Sequence, residues 1–195
     1  HLIQLLKRPS WCLRMLKTKN RTFGNILGHA KGVSDLSSII SWTNGQFDQE
    51  LSWDYVEWIK KVWKGPLVIK GILDEQDAEI AKNIGVDGII VSNHGGRQLD
   101  GTSSSIMALN KVVDKVGKDI EVFFDGGVRS GQDIVKAISL GAKGVFMGRP
   151  YMYGLGADGK RGVEKVIEIL TKELKVTMGL CGKTNVNDLD YGNLY

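Results

Sequence analysis

The chain has 195 residues, 42% of them hydrophobic and 25% charged, with a formal net charge of +4. This is the balance of an ordinary globular domain and excludes an intrinsically disordered chain. The sequence has no apolar run of about 18 residues, so no membrane-spanning helix is expected, and Cys12 and Cys181 have neither metal nor redox spacing and read as reduced thiols.

The first stretch is basic. Lys7, Arg8, Arg14, Lys17, Lys19, Arg21 and Lys31 fall within residues 1–34, which hold none of the 22 acidic residues, so the remainder is mildly acidic. Leu5, Leu6, Trp11, Leu13, Met15 and Leu16 interleave with these bases. Residues 5–21 therefore suit an anionic membrane interface, and equally a basic surface loop packed on a domain. The stretch HLIQLLKRPSW has charges where a signal peptide needs a continuous apolar run, so it is not expected to be one. Residues 20–50 show no clear period and read as loop, so residues 1–50 are taken as a basic segment and connection. The chain starts at His1 rather than Met and reads as a fragment or processed product. No nucleic-acid partner is expected.

From residue 51 the pattern becomes regular. Trp53, Val56, Ile59, Val62 and Trp63 predict a helix after Ser52. Leu67–Lys70 is apolar and ends in GIL. Gly88–Ser92 is apolar and ends in NHGG. Glu121–Phe124 ends in DGGVRSG, and Gly144–Met147 ends in GRP. Continuous short apolar runs read as strands buried on both faces of a parallel sheet. Helix-period segments lie between them. Ala78, Ala81 and Ile84 follow the cap Asp74. Ile106, Leu109, Val112, Val113 and Val116 follow Ser103–Ser105. Ile134, Val135, Ala137 and Ile138 follow Ser130, with Asp133 completing a capping box. Pro150 suits a first helical turn. Val163, Val166, Ile167, Leu170 and Leu174 make a long closing helix. The run Gly154 to Gly159 satisfies G-x-G-x-x-G, but it follows no strand and reads as a loop rather than a dinucleotide site. Four consecutive βα units fit a small doubly wound sheet or half of a (βα)8 barrel.

Unusual polar residues gather where these strands end. Lys70 closes an apolar strand, which is costly unless it meets an anion or an electron-rich group. Ser92-Asn-His94-Gly-Gly-Arg97 places a proton acceptor beside a fork for a carboxylate, which suits a small organic acid with a removable proton. His94 must be neutral before it can act as a base, and a nearby Arg97 favours that by opposing a second positive charge. Asp125, Gly126, Gly127 and Arg129 leave the third strand, and Gly148 and Arg149 the fourth. Consecutive glycine amides, a helix N-terminus and forked guanidinium donors make a phosphate site. A bare carboxylate would repel phosphate, so Asp125 is assigned to supporting the loop or a sugar-like hydroxyl.

The run SNHGGRQLDG at Ser92 to Gly101 resembles the signature of the FMN-dependent 2-hydroxy acid dehydrogenases and oxidases. The resemblance extends over essentially the whole chain and matches the C-terminal half of that family. It implies an α/β fold, a (βα)8 TIM barrel of which residues 51–195 carry the fifth to eighth units, the first four strands being either lacking or outside this stretch of chain. It implies FMN as cofactor. Lys70 would contact the flavin N1–O2 edge, Ser92 would lie near the flavin, and Asp125 would reach the loop or a ribityl hydroxyl. Gly126, Gly127, Arg129, Gly148 and Arg149 would hold the FMN phosphate. His94 would be the base and Arg97 the clamp for the substrate carboxylate. The family's aspartate partner for that histidine would precede His1.

The function implied is oxidation of an L-2-hydroxy acid, L-lactate by preference, to the 2-keto acid, with electrons passed to a quinone or another acceptor. The resemblance also implies a homo-oligomer at full length. The expected location is cytoplasmic, with residues 5–21 lying peripherally on the inner face of the cell membrane. The 195 residues alone are expected to be inactive. Two other readings stand beside this one. One is a different FMN barrel enzyme, such as a type 2 isopentenyl diphosphate isomerase. The other is a half-barrel that binds phosphate without turnover.

Overall fold

The computed structural model describes residues 5–18, 23–24, 26, 29–33, 35–46 and 48–194. The chain divides into two compact units, His1–Ser52 and Trp53–Tyr195.

The described residues of the first unit include helices α1 (Pro9–Lys17) and α2 (Leu36–Gly45). In α1, Trp11, Cys12, Met15 and Leu16 recur at three- and four-residue spacing, opposite Ser10, Arg14 and Lys17. The helix starts with a proline, which is tolerated in a first turn. Lys19 and Arg21 lie outside the described residues. Helix α2 corrects the reading of residues 20–50 as loop. Its sequence, LSSIISWTNG, has weak intrinsic helix preference and only a poor apolar period. The helix is instead fixed at its start: Asp35 Oδ1 accepts from Ser38 N–H at 2.8 Å, and Asp35 N–H donates to Ser38 Oγ at 3.0 Å. The Ser38 amide, then the Ser37 hydroxyl, hold the Asp35 carboxyl below its ordinary range.

The second unit begins with α3 (Trp53–Val62) and continues as β1 (Val68–Ile72), α4 (Glu75–Ile84), β2 (Gly88–Val91), α5 (Ser105–Val116), β3 (Glu121–Asp125), α6 (Gly131–Ser139), β4 (Gly144–Phe146) and α7 (Arg149–Leu180). Two short 3-10 turns follow. The caps expected at Asp74 and Ser130 both form: Asp74 accepts from Gln76 N–H, and Ser130 and Asp133 make the reciprocal box.

The four strands are all parallel and lie in sequence order, β1-β2-β3-β4. A doubly wound sheet needs a point where strand order reverses, and this one has none. Every crossover therefore steps the same way and puts its helix on the same face. The core lies on that face. Ile89, Val91, Val122 and Phe124 pack with Ala78, Ala81, Leu109, Val112, Val116 and Ala137, all essentially removed from solvent. Each such Val, Leu, Ile or Phe side chain contributes about 1.5–3 kcal/mol on burial, and each alanine less. The alternate residues Val68, Lys70, Ile90, Phe123, Asp125 and Phe146 face the other way. There Val68 and Phe146 remain 42% and 49% exposed, and Phe146 meets Phe123 edge-on at 6.0 Å. Among the described residues β1 and β4 have no further strand beside them.

Helix α7 is broken at Asp158 and Gly159, the latter with φ 59°. A Cβ on Gly154 would meet the Gly162 carbonyl oxygen at 2.5 Å, and one on Gly162 would overlap the Gly154 carbonyl. The two halves of α7 thus pass in backbone contact. The run Gly154–Gly159 is therefore mostly helix with a break at its end, which corrects its reading as a loop. These glycines permit close packing and a left-handed residue rather than ligand contact.

Candidate active site

The site starts from the ends of three adjacent strands. Lys70 lies inside β1 (Val68–Ile72) rather than closing it as expected, because the strand resumes after the Gly71 irregularity. Its Nζ donates to Ser92 Oγ at 2.9 Å and lies 3.4 Å from Asp125 Oδ2. Ser92 Oγ donates to Asp125 Oδ1 at 3.0 Å and also accepts the His94 N–H at 3.1 Å. A hydroxyl has one proton and two lone pairs, so Ser92, 1% exposed, is fully used. It ties β1, β2 and β3 together at their C-terminal ends. The β1–β2 register slips between Lys70 and Ile72, and Gly71 takes φ 101° there. A Cβ on Gly71 would stand 3.6 Å from His94 Cε1.

His94, Gly95 and Gly96 have φ of 56°, 69° and 72° in succession. For histidine this left-handed backbone is unfavourable, and it is held by the Ser92 bond and by Gly96 N–H donating to Asn93 Oδ1 at 3.2 Å. The turn leaves the His94 ring exposed on the rim of a cleft of about 280 Å³. Arg97 follows on the same loop and lines the same cleft.

The other wall comes from β3 and β4. Gly126 and Gly127 have φ of 126° and 75°. A Cβ on Gly126 would overlap Ser105 Oγ, so only glycine fits there. Arg129, Gly148 and Arg149 complete this wall, with Phe146, Met147 and Met152 as its apolar part. Arg149 reaches across to the β2 loop, where a Cβ on Gly95 would come within 3.3 Å of its guanidinium. All the residues expected at the site except the buried Ser92 therefore border one cleft, and Ser92 supports it from beneath. Four cations, Lys70, Arg97, Arg129 and Arg149, face it against the single carboxylate of Asp125.

Sequence reasoning gave Asp133 only a capping role. Its Oδ2 accepts from Arg129 N–H and Ser130 N–H, both at 2.9 Å, and from Ser130 Oγ at 3.0 Å. Burial pushes its carboxyl up, but the Arg129 amide and then the Ser130 hydroxyl and amide outweigh this and hold it below its ordinary value. Glu173 was not singled out at all. It accepts the Gly131 N–H at 2.9 Å from 42 residues away, a separation that leaves no local pattern to read.

The residues of this cleft have the chemistry to receive the phosphate and one ring edge of FMN. A Cβ on Gly127 or Gly148 would meet nothing within 4 Å, so the backbone there is open to an approaching group. With the Arg129 and Arg149 guanidinium groups alongside, those two strand exits present the donors a phosphate requires. Lys70, steadied by Ser92 and Asp125, offers a fixed positive charge for an electron-rich ring edge.

Comparison with known proteins defines the class. The model of the FMN-dependent dehydrogenases matches residues 1–195, and the chain belongs to that family. Among characterised relatives it is 45% identical over 190 residues to an L-lactate dehydrogenase of Pseudomonas syringae pv. syringae (strain B728a), covering 97% of this chain and 50% of that protein. It is 43% identical over 194 residues to an L-lactate dehydrogenase of Vibrio parahaemolyticus serotype O3:K6, covering 99% and 51%. The chain thus spans about half the length of the curated relatives it matches. In solved structures it superposes on (S)-mandelate dehydrogenase, described as a monotopic membrane protein, with a TM-score of 0.87, 33% identity, and coverage of 98% of this chain and 50% of that one. A mandelate oxidase variant carrying an FMN monooxide adduct matches with a TM-score of 0.67 and 46% identity, covering 70% and 43%. The four βα units are therefore units of a (βα)8 barrel, and the cofactor of the family is FMN.

Proposed function

We propose that this chain carries the base, the carboxylate clamp and the phosphate site of an FMN-dependent enzyme that oxidises an L-2-hydroxy acid, with L-lactate as the preferred substrate. The observation that carries this reading is the convergence of His94, Arg97, Lys70, Arg129 and Arg149 on one cleft. Arg97 binds the substrate carboxylate as a two-pronged donor. An imidazole nitrogen of His94 takes up one proton as the C2 alcohol becomes a ketone, while bound FMN supplies the acceptor for the two electrons and the second proton. Lys70 stabilises negative charge gained at the flavin edge. Gly126, Gly127, Arg129, Gly148 and Arg149 hold the phosphate, and Asp125 supports the loop or a ribityl hydroxyl.

The electrons then pass to a quinone, and the first unit supports that choice. Helix α1 pairs basic residues with exposed Leu13, Met15 and Leu16, as a helix lying in an anionic interface does. Among the described residues no helix is long and apolar enough to cross a membrane, so contact would be peripheral. A homo-oligomer and an inner-face location belong to the same reading.

The test is anaerobic titration of the full-length holoprotein, since the 195 residues span about half the length of their relatives. L-lactate bleaches the flavin absorbance, (S)-mandelate does so less efficiently, and His94→Ala retains FMN but is not bleached. Absence of bound flavin, or near-normal reduction of His94→Ala, overturns the assignment.

A further inference from the structure

The first turn of α6 is closed by a carboxylate from the last helix. Gly131 N–H donates to Glu173 Oε2 at 2.9 Å. The approach is close, because a Cβ on Gly131 would overlap the Leu174 amide nitrogen and the Glu173 backbone. The neighbouring amides are also occupied. Arg129 and Ser130 donate to Asp133 Oδ2, and Asp133 N–H donates to Ser130 Oγ at 3.3 Å. Two carboxylates therefore take the positive end of α6, where a phosphate could otherwise have bound. What remains for a phosphate is the loop itself: the glycine stretch and the Arg129 guanidinium, with Gly148 and Arg149 opposite. That loop is fastened at its far end by Asp133 from within and by Glu173 from α7.

We propose that Glu173 is a positioning residue for the phosphate of the cofactor: by holding Gly131 it fixes the run Gly126–Arg129 in the shape that receives the phosphate. This inference rests on the FMN phosphate reading given above. Two effects of Glu173 oppose each other. Its hydrogen bond is charge-assisted and orders the loop, which favours binding. Its negative charge repels a phosphate, which disfavours it. Glu173 is exposed to solvent, so its charge is screened while its hydrogen bond is not lost, and the ordering effect dominates.

Equilibrium binding of FMN and of riboflavin to the flavin-stripped protein, followed by flavin fluorescence, separates these effects. Glu173→Ala weakens FMN about tenfold, the scale of one charge-assisted hydrogen bond, and leaves riboflavin, which has no phosphate, within about twofold. Glu173→Gln keeps an acceptor oxygen but loses the charge assistance, so its FMN affinity falls between that of Glu173→Ala and that of the parent, with riboflavin unchanged. Unchanged or tighter FMN binding by Glu173→Ala overturns the inference, as does an equal loss for both flavins, which would mark a general packing role. If Glu173→Ala does not fold, Glu173→Gln decides: FMN affinity equal to or above the parent's, or an equal loss for both flavins, overturns it. A parent protein that binds no FMN sinks the phosphate-site reading and this inference with it, an outcome distinct from a parent that binds FMN and does not respond at Glu173.

Discussion

Lys70 Nζ stands 3.4 Å from Asp125 Oδ2, although β1 and β3 are not neighbours and β2 runs between them. Ser92, at the end of that middle strand, makes the connection through its hydroxyl. The pair is part-exposed, so its direct attraction is modest, and the buried hydroxyl is what sets the geometry. Ser92→Ala would leave the Asp125 oxygen and the His94 amide without this partner at a buried position. The expected cost is about 1–3 kcal/mol of stability, seen as a lower urea midpoint with an unchanged slope. An unchanged midpoint would show that the hydroxyl is dispensable.

The legibility of this chain follows from where its signals are local. A charged or polar residue at the end of a continuous apolar run is visible in the sequence, and Lys70, His94, Asp125 and Arg149 were all visible that way. The four βα units were visible because strand and helix periods alternate without interruption. Helix α2 was not, because its apolar residues do not repeat cleanly: Ile39 is buried and Ile40 exposed. Its only strong signal is the Asp35–Ser38 box. The backbone contact between Gly154 and Gly162 and the bond from Gly131 to Glu173 depend on how α7 folds back and docks, which no short pattern encodes. Doubly wound and barrel topologies share the same βα alternation, so periodicity alone could not separate them; the resemblance carried by Ser92 to Gly101 pointed to the barrel, and the strand order agrees.

Arg97 carries a prediction about geometry rather than charge. Lysine keeps the positive charge but loses the planar fork that matches a carboxylate. Arg97→Lys in the oxidised holoprotein should weaken oxalate or a 2-keto acid by about 1–3 kcal/mol, measured from the perturbation of the flavin spectrum on titration. Equal affinity in the two proteins would place Arg97 outside the substrate site.

Asp133 gives a pH-dependent expectation. Its carboxyl is held below the ordinary value, since the Arg129 and Ser130 donors outweigh the upward push of burial. A depressed folded-state pKa means that the stabilisation is present above the unfolded pKa, about 4, and is lost as pH falls through the lower folded value. Asp133→Asn should therefore be less stable than the parent near neutrality, and the difference should shrink as pH drops below about 4. Urea midpoints of both proteins across that range provide the check. A difference independent of pH would show that the charge on Asp133 does not matter to the loop.

The basic segment makes the last prediction. Residues 5–18 of the first unit present Lys7, Arg8, Arg14 and Lys17 without any acidic residue, together with exposed Leu6, Leu13 and Leu16. Apolar contact alone would make binding to vesicles insensitive to their charge, whereas basic residues make it depend on anionic lipid and on salt. Each Lys or Arg near an anionic surface is worth about 1 kcal/mol. Sedimentation with vesicles containing phosphatidylserine should carry the protein down at low salt and release it as salt rises. Lys7→Gln with Lys17→Gln should lower the partition coefficient roughly 30-fold, the equivalent of two such residues. Arg8 and Arg14 would remain with the leucines, so residual binding to these vesicles should still fall as salt rises, but less steeply than for the parent. Equal recovery in the supernatant with and without anionic lipid would remove the membrane role from residues 5–21 and with it the argument for a membrane-borne electron acceptor.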